Sequence, residues 1–253
     1  MDLRLGRPRR RPPGLPVTTA RHYYLATLPA LGPLGSAAPI GLADLIEHVA
    51  EHKSWRRQVE AIVLLDDLAQ RESLLAGEIK EVEPAVLTLQ QARGEAALPE
   101  VLFPEAERER TAALETDRLW ENYFRYVHDL GTARHSRFLV AWVRFEVTLR
   151  NALATARARR LGLDEAAYVV ALDLADEVEG EDLAPVISAW EAAGSPLAGQ
   201  RMVLQARWSW IEKHDAWFSF SVDELLAYAG RVMLLEQWRR SAEGDDAARS
   251  GRR

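Results

Sequence analysis

Apolar residues in this chain recur at intervals of three and four along most of its length and almost nowhere alternate. That period puts them on one face of a helix and scatters them over both faces of a strand, so the spacing predicts an all-α fold, a multi-helix bundle. Leu42, Leu45, Ile46 and Val49 set the first clear stripe. A second helix is expected from Trp55 to Ala76, with Ser54 as its N-cap and Gly77 as its stop. Within it Ala61–Leu65 could pass for a buried strand, but the charged, helix-favouring flanks decide for helix.

Pro84, Gly94, Pro99 and Pro104 break the chain over 77–104, which is the expected subdomain boundary, holding a short helix at Ala85–Ala92. Two long aromatic-rich helices follow. One is expected from Glu105 to Leu130, ended by Gly131, and the other from Ala133 to Leu161, with Gly162 at a left-handed C′ position and Asp164 as the N-cap of a further short helix through about Leu172. The acidic run Asp173–Asp182 reads as a solvated loop, and Ala184–Ala193 as a short helix. The last two helices are expected at Gln200–His214, with Val203, Trp210 and Trp217 on one face, and at Ser221–Arg240, with Ser221 and Glu224 as a capping box. This gives a basic, proline-rich disordered tail at 1–20, a helical domain at 21–240 and a polar disordered tail at 241–253.

Composition narrows the function. Without cysteine the chain has no disulfide, no thiolate metal site and no cysteine nucleophile, and the cytoplasm is the default compartment. No apolar window is long enough to span a bilayer, and the basic N-terminus runs into prolines, not the apolar core of a signal peptide. Five arginines against one acid give residues 1–16 a net charge of +4, leaving −10 on the rest of a −6 chain, which argues against nucleic acid as the main partner.

Few motifs carry chemistry. His48-Val49-Ala50-Glu51-His52 matches the H-x-x-E-H pattern, in which two histidines one helical turn apart hold zinc and the glutamate activates water; the alternative is a solvent-facing helix. Nucleophile-elbow and phosphate-cradling glycine motifs are missing. Asp66 and Asp67 point about 100° apart on a helix and read as a solvated face. Arg144, Glu146, Arg150 and Asn151 interrupt an otherwise aromatic helix, Glu146 and Arg150 at the favourable i,i+4 spacing. They stand either as structural polar residues or as a docking surface. Arg207, three residues before Trp210, reads as packed on that ring, and Trp55, Trp190 and Trp238 near helix ends are candidate contact residues.

Three stretches together resemble a known family: Tyr23–Leu31; Phe145–Leu153 with Arg157-Ala158 and Leu161-Gly162; and Trp217–Ser221 with Leu226-Ala227-Tyr228 and Leu235–Trp238. They resemble a bacterial family encoded with V-type (V/A-type) ATPases, with a role like that of the C/d-type rotor component. The resemblance implies a non-catalytic, all-helical adaptor without cofactor, cytoplasmic and peripheral to the inner membrane. Its partners would be the proteolipid ring and the proteins of the central stalk. The C/d-type rotor component is a funnel of repeated helical units, of which this chain would be a shortened form. A helical interaction protein of another assembly is the alternative, and a zinc hydrolase built on His48, Glu51 and His52 the third reading.

Overall fold

Ala61–Leu65 lies inside a helix, and its burial on every side sets the plan of the molecule. The computed structural model describes residues 24–103, 115–175 and 182–250, with side chains through Glu243, and contains no strand among them. Among the described residues a helical turn at 24–26 is followed by α1 (Leu42–His48), α2 (Lys53–Leu75), α3 (Leu89–Ala92), α4 (Glu115–Arg134), α5 (Arg137–Leu161), α6 (Leu172–Ala175), α7 (Ala184–Glu191), α8 (Pro196–His214) and α9 (Val222–Ser250). Short 3-10 turns sit at Glu100–Leu102 and Glu165–Tyr168. The fold is all-α. The tail expected at 1–20 lies outside the described residues.

Helix α9 is the hub, packing on α1, α2, α5 and α8. Its buried residues Leu225, Leu226, Ala229, Val232 and Met233 form the expected seam, and Ala227, Leu234 and Leu235 widen it to nearly the full circumference. Helices α4 and α5 form a hairpin beside it, and α8 and α9 form another. Between α5 and α8 lies an aromatic stack in which Trp210 meets Phe138, Trp142 and Phe145 at ring-centre distances of 5.6, 5.4 and 5.1 Å. Such offset and tilted contacts suit the ring quadrupoles and add to the area they bury.

Several boundaries differ from expectation for local reasons. Ser54 is not a cap: α2 begins at Lys53 after His52. Residues 84–88 are not helical, and only Leu89–Ala92 forms a turn, under a capping box of Thr88 and Gln91. Gly131 does not end α4 but lies inside it. A Cβ there would stand 2.9 Å from the Leu139 Cβ, so this glycine lets α4 approach α5. The stop comes four residues later at His135, with φ of 55°, and Ser136 caps α5 by accepting the Leu139 amide. At the other end of α5, Gly162 adopts the expected left-handed C-cap.

Trp217 lies beyond the end of α8, so it leaves the stripe expected with Val203 and Trp210. Helix α9 does not stop at Arg240; it continues to Ser250, and Ser241 is buried, so the tail expected at 241–253 is helical for most of its length. Of the acidic run Asp173–Asp182, Asp173 belongs to α6 and binds Arg125 through two hydrogen bonds, while 176–181 lie outside the described residues.

Candidate interaction site

The H-x-x-E-H segment does not form the single helix its chemistry needs. Helix α1 ends at His48 and α2 begins at Lys53, so Glu51 and His52 lie in the turn between them. His48 Nε2 lies 3.0 Å from the Tyr24 carbonyl oxygen, Glu51 accepts the Tyr24 hydroxyl at 3.0 Å, and His52 stacks on Trp55. These residues dock the start of the described chain onto the α1–α2 corner. Among the described residues no group of three His, Cys, Asp or Glu is placed to hold a metal ion.

The Asp66–Asp67 pair is the largest correction. Both carboxylates are buried, because α2 is enclosed on all sides at this level. Asp67 accepts three consecutive backbone N–H groups, from Ala85 at 3.0 Å and from Val86 and Leu87 at 2.7 Å each. Such a row of amides is a cradle for an anion, and it explains why 84–88 is not helical. Burial nevertheless pushes the Asp67 carboxyl up to about 6, the three amides and then the Asp66 charge having smaller effects. Asp66 faces the other way and receives Gln70, Gln237 and Arg240. The pair therefore ties the 83–88 loop and the far half of α9 to α2.

Glu146 does not pair with Arg150. It receives a two-pronged hydrogen bond from Arg207 on α8, at 2.8 and 2.7 Å, with the glutamate side chain only 3% exposed. Arg207 is thus an ion-pair partner, not a residue packed on Trp210. Arg150 bonds Asp117 at 3.0 Å and lies over the Trp120 ring. Arg144 is half-buried, its carbonyl accepting the Thr148 hydroxyl. Trp238 is half-buried under the Arg201 guanidinium, Trp190 is half-buried and Trp55 is buried.

The exposed aromatic surface lies elsewhere, on the 215–221 loop joining α8 to α9. Trp217 is 56% and Phe218 80% exposed. Phe218 and Phe220 hold φ of 59° and 50°, a left-handed conformation unusual for bulky residues and costing roughly 1–2 kcal/mol at each. The loop is held in it by Glu224, which accepts the Phe220 amide at 2.7 Å and the Phe218 amide at 3.3 Å. Glu224 thus performs its part of the expected capping box on amides upstream of Ser221. Arg231 of α9 also holds the loop: it is ion-paired with Asp215 and lies under the Trp217 ring at 4.6 Å.

Beside this loop opens a pocket of about 240 Å³. Leu25, Leu28, Pro29 and Leu31 form one wall, and Tyr228 and Arg231 the opposite one. The Tyr228 hydroxyl donates to the Pro29 carbonyl at 2.8 Å and fixes the two walls together. Sequence reasoning singled out both segments through the resemblance but not their meeting, because nothing local records that 25–31 crosses α9. The signal that could have found the loop is the run Trp-Phe-Ser-Phe just after a helix has lost its stripe.

A protein-family model described as a protein of unknown function, DUF2764, matches residues 97–189. The match covers the α4–α5 hairpin and the short helices after it through most of α7, and lies outside the pocket. Comparison with curated proteins gave no match, and comparison with solved structures gave none.

Proposed function

We propose that this chain is a non-catalytic helical adaptor of a V/A-type ATPase, linking the proteolipid ring to the central shaft from the cytoplasmic side. One observation carries the reading. Two of the three stretches that carry the resemblance, at its two ends, fold against one another into the pocket and its aromatic rim. What they present is an apolar, aromatic surface of the kind used to bind another protein, with Trp217 in the role that tryptophan often takes at interface centres. No described helix is long and apolar enough to cross a membrane, which fits a peripheral position.

The test is affinity purification of the tagged chain from its native host in mild detergent, beside a Trp217→Ser, Phe218→Ser double variant. Catalytic, stalk and proteolipid components recovered in fixed proportion with the wild-type chain, and lost with the variant at unchanged thermal stability, would support the assignment. Recovery of a different assembly through the same two residues would replace it with the alternative, a helical interaction protein of that assembly. Zinc bound in equal amount and lost on His48→Ala or His52→Ala would reinstate the hydrolase.

A further inference from the structure

Phe218 and Phe220 both hold left-handed backbones in the 215–221 loop, so the loop is strained where it lies and is kept there by its anchors. Two carboxylates supply them. Glu224 accepts the Phe218 and Phe220 amides. Asp215, at the root of the loop, holds Arg231, whose guanidinium lies 4.6 Å from the centre of the Trp217 ring.

The Asp215 anchor is incomplete. Its side chain is fully buried, and although one oxygen meets Arg231 the other, Oδ1, has no donor among the described residues. A buried carboxylate short of a donor is a poor place for a charge and a better one for the neutral acid, because water no longer solvates the ionised form. Burial pushes the Asp215 carboxyl up to about 6; Arg231 opposes that rise and the Glu224 charge adds to it. The other titratable residues close by in the chain are turned elsewhere. On α8, Glu212 accepts the Trp208 indole, His214 stacks on Trp210 and Lys213 is exposed; on α9, Asp223 accepts the Ser136 hydroxyl. The wall formed by Leu25–Leu31 has no charged residue.

When the loop lifts from α9, Asp215 returns to water and to the ordinary carboxyl value of 3.8. The shut loop therefore binds this proton more tightly than the open one. Its contribution to closure is fully present below about 3.8 and is lost as pH rises through about 6.

We propose that the 215–221 loop is a proton-controlled latch: protonated Asp215 keeps it shut on α9 in its strained form, and loss of that proton to water shifts it toward an open form that carries Trp217 off Arg231. The latch belongs to this chain and stands whichever partner meets the rim.

Hydrogen exchange of the full chain, read at the Phe218 and Phe220 amides and corrected for intrinsic rates, measures the open fraction. With carboxyl values of about 6 shut and 3.8 open, that fraction should be about tenfold larger at about pH 7.5 than at about pH 5. Asp215→Asn, which does not titrate, should abolish the change while leaving His214 and Glu224 in place. In the wild-type chain alone, the ¹³C signal of the Asp215 carboxyl and the indole signal of Trp217 should titrate together with a midpoint near 6, a readout that does not require the variant to fold. An open fraction that is equal at the two pH values, or a tenfold change that survives Asp215→Asn, would overturn the latch. So would an open fraction larger at the lower pH, which would mean that the Arg231 ion pair and not the neutral acid shuts the loop.

Discussion

Asp67→Asn should change the pH dependence of stability in a calculable way. In the folded protein the Asp67 carboxyl titrates at about 6, against an ordinary value of 3.8, because the side chain has left water and three amides only partly compensate. The folded state therefore binds this proton more tightly than the unfolded chain does. The stabilisation belongs to the protonated form: it is fully present below about 3.8 and is lost as pH rises through about 6. Between about pH 7.5 and pH 5 the linkage integral for this one group is about 1.4 kcal/mol in favour of the acid condition. Asparagine does not titrate, so the difference between wild type and variant removes the other carboxylates that change over the same range, Asp215 among them. Urea unfolding at the two pH values is the assay. With a slope of about 2–3 kcal/mol per molar for a chain of this size, the wild type should gain about half a molar on the variant at the lower pH. A gap that stays constant, or closes, would mean that the amide cradle outweighs burial and that the carboxylate is the preferred buried form.

Other substitutions have equally direct outcomes. Gly131→Val places its Cβ 2.9 Å from that of Leu139 and should cost about 1–3 kcal/mol in a thermal melt by forcing α4 from α5. Glu146→Ala leaves the Arg207 charge without its partner and should cost about 3–5 kcal/mol, most of it recovered in the double variant Glu146→Met, Arg207→Met; chemical unfolding of the three chains measures this. Phe218→Gly relieves a left-handed backbone at an exposed side chain, and the net of about 1–2 kcal/mol strain against about 0.5–1 kcal/mol of glycine entropy should raise stability, readable by calorimetry.

The long helices α2, α4, α5, α8 and α9 were legible because each runs far enough for its 3.6-residue period to exceed local noise, whereas the four-residue α3 and α6 do not, and Gly162 was legible because a left-handed cap is a single-residue property. Gly131 carries the same one-residue signal but an opposite meaning, since close approach of α5 depends on residues that only tertiary structure brings near. Asp66 and Asp67 were misread for a related reason. Two adjacent acids about 100° apart can both face water on a half-buried helix, but α2 is enclosed on all sides, and the partners that make their burial tolerable stand up to 174 residues along the chain. The H-x-x-E-H segment met the motif's spacing without its geometry, because the helix ends at the first histidine.

The pocket and the distant polar clasps meet on one element. Helix α9 holds the 25–31 segment through Tyr228, the 215–221 loop through Glu224 and Arg231, and the α4–α5 turn through Asp223, which accepts the Ser136 hydroxyl at 2.6 Å. Further along, it holds α2 through Gln237 and Arg240 and the 83–88 loop through Arg239. Surface ion pairs such as Arg239–Glu83 contribute little singly, whereas the buried contacts to Asp66 and Asp215 are costly to break from one side. A contact made at the aromatic rim therefore bears on a helix anchored at several levels to the rest of the bundle. An adaptor that must pass a load from one partner to another needs this property, and a loop tethered only at its ends would lack it. Weakening the far anchor by Arg240→Ala, 174 residues along the chain from Asp66 and in the half of α9 away from the rim, separates the two cases. If the rim and its anchor act as one body, hydrogen exchange should quicken at Trp217–Ser221 as well as at α2; if exchange changes only around Asp66, the rim is independent of the spine.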